Sequence, residues 1–280
     1  MAKRVSRRIV GAAMTGATYS AALLAILPLA AILGMLVAKG AGSVDWAFFT
    51  RSSVPLGETG GGFAHAIAGT LIIVGLACAI GVPVGVGIGV YLAEFGAGRL
   101  GWAVRFVADI LNGTPSIVIG IFAWTWLVKP MGTFSALAGG AALSVILVPI
   151  VARTTEEMVR LVPNSLREAA LALGYPRWRT SLQVVLRTAG AGVLTGALVA
   201  MARVAGETAP LLFTALGNQH FSARLSGPMA ALPLQVYVYA VGPYEEWRRQ
   251  AWAGALVLIL LVLLLGLSAR AATRGRHSDV

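Results

Sequence analysis
The chain has 280 residues, 58% of them apolar and 12% charged, with a formal net charge of +11. A soluble domain averages roughly 45–50% apolar residues, and the mean hydropathy here is +0.81, which excludes a water-soluble domain of ordinary composition. The basic surplus flanks the apolar runs rather than forming an aromatic–basic patch, which argues against a nucleic-acid partner.

The uncharged runs are Ile9–Ala38, Thr59–Ala93, Ile110–Val128, Pro130–Ala152 and Gln250–Ala269. A helix needs about 20 apolar residues to cross the hydrocarbon core, and each run is near or above that length. A sixth run, from about Gly190 to Leu216, carries Arg203 and Glu207. Only helices and closed barrels span bilayers. These runs are too long for barrel strands and lack alternation. The expected class is therefore all-α and polytopic, a single membrane domain over 1–280. Its six spans lie near 15–38, 64–92, 107–128, 133–153, 189–216 and 251–270.

The first span follows a basic tip, Lys3, Arg4, Arg7 and Arg8. It exceeds the roughly 7–15 residues of a signal-peptide apolar region, so it reads as an uncleaved signal anchor. With that tip inside, the inside segments hold most of the 22 basic residues. The outside segments hold Lys39, Arg51, Lys129, Arg224, Arg248 and Arg249. This is the positive-inside pattern, and an even number of spans puts both termini in the cytoplasm. The outside loop Lys39–Phe63 offers Trp46, Phe48 and Phe49 to the membrane interface. Gly81, Gly85 and Gly89 share one face of the second span, and Gly192 and Gly196 repeat the spacing in the fifth. Such faces allow close helix contact in lipid, within the chain or at a subunit seam. The single cysteine, Cys78, lies in the second span and reads as a packing residue.

Asn112-Gly113-Thr114-Pro115-Ser116 is a turn sequence set into an apolar run. Two readings stand. The span starts here with Pro115 in its first turn, or the helix is broken at membrane depth, where it must face protein or a wet cavity. In the second case the freed N–H groups around Thr114 and Ser116 can meet an anion. Glu156 and Glu157, between Arg153 and Arg160, read as a solvated helix face.

The inside loop 154–187 carries a short helix, Pro163–Gly174. Ser165 and Glu168 fit a capping box, and Gly174 fits the left-handed position that ends a helix. Pro176 then starts a second helix to about Leu186, so the loop forms a cytoplasmic helix–turn–helix between spans four and five. Leu166, Ala169, Ala170 and Leu173 form an apolar stripe too large for the loop to bury alone, so a partner protein is implied. Further on, Gly217–Arg249 contains Pro228, Pro233 and Pro243. It is too broken for a span and reads as an outside segment that dips back into the protein.

Arg203 falls near the middle of the fifth expected span, where an arginine costs at least about 2.5–3.5 kcal/mol on insertion scales. Glu207 lies four residues on, within reach of an ion pair, and Pro210 should kink the helix there. No Gly-x-x-x-x-Gly-Lys-[Ser/Thr] phosphate loop occurs among the three lysines, Lys3, Lys39 and Lys129, so an ATP motor would be another polypeptide. His65, His220 and His277 are scattered, and no nucleophile elbow is present. No catalytic, metal or cofactor-binding residue is expected.

Glu168-Ala169-Ala170-x-x-x-Gly174 resembles the coupling motif of ABC-importer membrane subunits, although Arg187 stands where that family's pattern has a proline. The resemblance extends over nearly the whole chain. Val90–Phe95, Asp109–Gly120 and Arg203–Pro210 are similar to the PstA-type permeases of phosphate importers. The resemblance implies that Glu168, Ala169, Ala170 and Gly174 dock on a cytoplasmic ATPase dimer. It implies, further, a PstC-like second permease, an extracytoplasmic phosphate-binding protein, and phosphate as cargo in the cytoplasmic membrane. Arg203, Glu207, Thr208, Thr114 and Ser116 are the candidate path residues. A permease for sulfate or molybdate shares the coupling loop but is not expected to carry the Arg203–Thr208 block; a secondary transporter or channel has no use for the loop.

Overall fold
The computed structural model describes residues 2–54 and 60–274. In chain order the helices are α1 (Ala2–Gly40), α2 (Trp46–Thr50), α3 (Ala64–Glu94), α4 (Arg99–Gly113), α5 (Ser116–Met131), α6 (Ala136–Arg160), α7 (Asn164–Ala172), α8 (Arg177–Val204), α9 (Ala209–Thr214), α10 (Leu232–Val241) and α11 (Glu245–Arg274). The described residues form no strand. Five helices are long and apolar enough to cross a membrane: α1, α3, α6, α8 and α11. The pair α4 and α5 makes a sixth crossing only if counted together, and it is bent by 102°.

That bend interrupts the span expected over 107–128 and agrees with the broken-helix alternative at Asn112–Ser116. Thr114 (ψ 131°) and Pro115 (ψ 131°) both leave the helical region. Proline disfavours helical backbone in the residue before it and has no N–H to continue the ladder. Ser116 then opens α5 as a fresh helix. The fourth span also differs, since α6 runs on to Arg160, past the expected end at 153.

The fifth span departs at both ends. The second helix of the expected helix–turn–helix is not separate but is the base of α8, which runs unbroken from Arg177 to Val204. Arg187 explains this, because a proline there would have broken the helix and arginine does not. A π turn over Thr180–Val185 is the one irregularity of that base. At the far end α8 stops well before 216. Ala205–Gly206 turn, and Pro210 sits at the start of the separate helix α9, where its missing N–H costs nothing.

The core is α6, held between α3 and α8. A Cβ on Gly85 would lie 2.7 Å from the Val151 Cβ, and one on Gly89 would lie 2.6 Å from the Ala152 carbonyl oxygen. On α8, Cβ atoms at Gly192 and Gly196 would strike Met158 and Thr154 of α6. Both glycine faces therefore serve packing within the chain, where close backbone approach multiplies dispersion contacts. Ile73, Leu143, Leu147, Val151, Ala200, Val204, Leu211 and Met229 fill the centre. By contrast α1 meets the rest near its C-terminal end, where Leu36 and Gly40 face α11. Leu23, Leu24, Leu27 and Ile32 are exposed.

The end opposite α7 is closed by an aromatic stack. Phe48 is 1% exposed and stacks on Phe63 at 5.0 Å; Phe63 meets Tyr239, which stacks on Trp247. Phe48 is thus a core residue rather than part of an interfacial belt. Trp46 and Phe49 remain exposed. Asp45 caps α2 by accepting the Phe48 N–H at 2.8 Å, which turns Phe48 inward. Residues 229–232 do dip back: Met229, Ala230, Ala231 and Leu232 are buried, and the Leu232 N–H donates to the Thr70 hydroxyl at 2.6 Å.

Candidate functional site
Helix α7 starts on Pro163, and no side chain caps it. Ser165 lies inside the first turn, so the expected Ser165–Glu168 capping box does not form. Arg167 secures that end instead. Its guanidinium donates to the Val159 carbonyl at 2.9 Å, to the Val162 carbonyl, and to Asn164 Oδ1 at 3.2 Å. The C-terminal end is as expected. Gly174 has φ +81°, the Tyr175 N–H donates to the Ala170 carbonyl at 3.1 Å, and the Gly174 N–H donates to Leu171 at 3.0 Å. This pair of bonds satisfies carbonyls that the helix leaves unpaired. Ala170 faces the body of the protein. Leu166, Glu168, Ala169 and Leu173 are exposed, Leu173 by 79%. Of the apolar stripe expected to meet a partner, Leu166, Ala169 and Leu173 are open, while Ala170 is used within the chain.

Two clusters of charge behind the loop were not legible as such. Glu94, the last residue of α3, pairs with Arg167 at 2.9 Å and accepts the Ser181 hydroxyl at 3.2 Å. Its side chain is only 11% exposed. Glu156 of α6 is 2% exposed and is not on a solvated face. It pairs with Arg105 of α4 at 2.7 Å and with Arg160, and lies 3.7 Å from Arg153. Arg105 also donates to the Gly96 and Leu92 carbonyls at 2.9 and 2.8 Å, closing the end of α3. A buried carboxylate requires such partners, because its desolvation is offset only by close, hydrogen-bonded cations. The spacing Arg153-x-x-Glu156-x-x-x-Arg160 puts all three on one helix face, a signal that was available in the sequence. Arg105, 51 residues from its partner, gave none, and Glu94, 73 residues from Arg167, stood out only as part of the resembling block Val90–Phe95.

The path candidates sit where two helices break. Arg203 is exposed in the last turn of α8; Glu207 and Thr208 are half-buried in the break before α9. Arg203 is therefore at a helix end and not in the middle of a span. No ion pair within 4 Å joins Arg203 to Glu207 among the described residues. Thr114 donates its hydroxyl to the Ile110 carbonyl at 2.8 Å, and Ser116 is the first residue of α5. The two sequence blocks do converge through their ends. A Cβ on Gly120 would lie 2.8 Å from the Pro210 Cα and 3.4 Å from the Ala209 carbonyl oxygen. Glycine at 120 thus lets α5 seat directly on α9. Two irregular backbone segments near one contact, in a chain of membrane-crossing helices, need protein or water around them.

The described residues make a multi-span helical membrane protein that presents a short, exposed helix, α7, at one end. Residues 85–275 match the family of binding-protein-dependent transport system inner membrane components, and the chain belongs to that family. It is a multi-span membrane component of a larger transport system. The chain is 48% identical over 267 residues to the phosphate transport system permease protein PstA of Xylella fastidiosa, covering 95% of this chain and 93% of that one. It is 49% identical over 242 residues to the PstA protein of Yersinia pestis (85% and 81% covered). It is 38% identical over 283 residues to PstA 1 of Mycobacterium tuberculosis (97% and 91% covered). The fold superposes on a chain of the MetNI methionine ABC transporter in an inward-facing conformation. The TM-score is 0.63 at 20% identity, over 75% of this chain and 94% of that one.

Proposed function
We propose that this chain is a membrane-spanning permease subunit that moves inorganic phosphate in an ATP-driven importer. The observation that carries the proposal is the close similarity over nearly the full chain to proteins named phosphate transport permeases. The chain is a transport component, and ATP is hydrolysed by a separate cytoplasmic ATPase dimer. That dimer docks on α7 through the exposed Glu168 and Ala169, with Ala170 seating the helix on the body of the chain and Gly174 fixing the loop's exit. A PstC-like permease completes the path, and an extracytoplasmic phosphate-binding protein delivers the cargo to the opposite end.

In this reading 1–280 is one permease domain with its coupling loop at 154–187, and both termini are cytoplasmic. Arg203 attracts phosphate, since a planar guanidinium matches two phosphate oxygens in parallel bonds. Its exposure, with no ion pair to it among the described residues, leaves it open to an anion. Glu207 and Thr208 line the adjoining break, and Thr114 and Ser116 line the facing one. The test is phosphate uptake by vesicles carrying the reconstituted complex, with sulfate as competitor. Uptake that requires ATP and resists excess sulfate is expected. Uptake suppressed by equimolar sulfate would replace phosphate with a broader oxyanion class.

A further inference from the structure
We infer that Glu94 is a positioning residue that carries movement of the docking loop into the membrane helices, through its contacts with Arg167 of α7 and Ser181 of α8. The inference rests on the reading of α7 as the ATPase dock.

Helix α7 has little grip on the rest of the chain. Ala170 is its only buried residue. Its polar anchor is Arg167, and that anchor reaches two other elements directly and a third through Glu94. Two carbonyls at the end of α6, Val159 and Val162, accept from it. Glu94 of α3 accepts at 3.0 Å from the Nε and pairs at 2.9 Å with the second nitrogen. The second oxygen of Glu94 then shares the Ser181 hydroxyl, at 3.2 Å, with the Arg177 carbonyl of the preceding turn at 3.0 Å. One carboxylate thereby joins the dock to the ends of two spans, α3 and α8, while the same arginine holds a third.

Both linked spans lead to the broken-helix region. Ser181 lies in the π turn Thr180–Val185, an inserted residue in a helix that marks a place where register can change. Helix α3 runs from Glu94 back to Ile73, about 31 Å at 1.5 Å per residue. There a Cβ on Gly139 would lie 3.5 Å from Ile73 and 3.3 Å from Leu211 of α9. Between these points the glycine face of α3 is seated on α6 without room for a methyl group. Close-packed helices shift as units rather than deform. A displacement at Arg167 therefore reaches α9, next to Glu207 and Thr208, along α3 as well as along α8.

The test uses the complete complex, reconstituted with its ATPase and binding protein. It reads the ATPase retained per permease, and the ratio of hydrolysis stimulated by phosphate-loaded binding protein to basal hydrolysis. Glu94→Gln keeps the side-chain shape and removes the charge. It is expected to retain the ATPase while lowering the ratio by about tenfold, inside the usual range of coupling between sites. Ser181→Ala removes the hydroxyl shared between Glu94 and the Arg177 carbonyl and should lower the ratio by about threefold, the scale of a single net hydrogen bond. A wild-type ratio in Glu94→Gln overturns the inference. So does loss of the ATPase from that variant, which would make Glu94 part of the dock itself. If Glu94→Gln does not accumulate, Ser181→Ala decides, and an unchanged ratio there overturns the inference. Failure of the docking reading shows separately, as ATPase that stays bound to Gly174→Val.

Discussion
Glu156 and Arg203 are opposite cases of a charge in an apolar protein. Glu156 is buried and depends on Arg105 and Arg160. Removing one partner of a buried pair strands the others and costs about 3–5 kcal/mol. Glu156→Gln should therefore lower the unfolding free energy in detergent by about 3 kcal/mol. Arg153→Gln, at a 42% exposed side chain, should cost under about 1 kcal/mol. Equal losses in fluorescence-monitored denaturation would show that the cluster does not hold α4 to α6. No ion pair of Arg203 occurs among the described residues, and the role in the path proposed for it has a direct test. Arg203→Gln should abolish phosphate uptake and Arg203→Lys should impair it, with both proteins present in the membrane at wild-type level. If uptake by Arg203→Gln is normal, the residue is not in the path. The sequence marked Arg203, Glu207, Thr208, Thr114 and Ser116 because polar residues and prolines are conspicuous inside apolar runs. It did not mark Glu94 or Arg105, since a charge at the edge of a run reads as solvated until the fold supplies a distant partner.

At the scale of elements, the loop between α6 and α8 makes the sharpest test. Gly174 has φ +81°, and a Cβ there would meet nothing within 4 Å. Any penalty on substitution is thus conformational and not a clash. A β-branched residue is a true outlier at positive φ, whereas asparagine visits that region readily. Gly174→Val should lose the co-purifying ATPase while inserting normally, and Gly174→Asn should keep most of it. Retention of ATPase by both variants would detach the loop from docking. Most of the long helices were legible because about 20 apolar residues admit few alternatives. Their ends were not. The stop of α8 at Val204 and the 102° bend before α5 depend on which neighbour accepts the exposed backbone. Gly206, Pro210 and Pro115 allow several outcomes until packing selects one.

For the molecule as a whole, the decisive quantity is the separation of charge between the two ends of the bundle. Arg105, Arg153, Arg160 and Arg167 gather with Glu94, Asp109 and Glu156 around α7. Lys39, over the Trp252 ring at 5.0 Å, and Arg249, paired with Glu246, lie at the other end. The positive-inside rule counts Lys and Arg rather than net charge, so the end that gathers these four arginines is the one expected in the cytoplasm. On the proposed reading, that orientation would put α7 within reach of an ATPase and residues 217–249 within reach of a binding protein. Two exposed positions test it in a Cys78→Ser background: Ala223 beyond α9 and Ser165 on α7. Ala223→Cys should react with an impermeant thiol reagent in intact cells. Ser165→Cys should react only in inverted vesicles stripped of the ATPase, which would otherwise cover it. Labelling of Ser165→Cys in intact cells would invert the topology, and with it the assignment of α7 as a cytoplasmic dock, since ATP is supplied on one side of the membrane only.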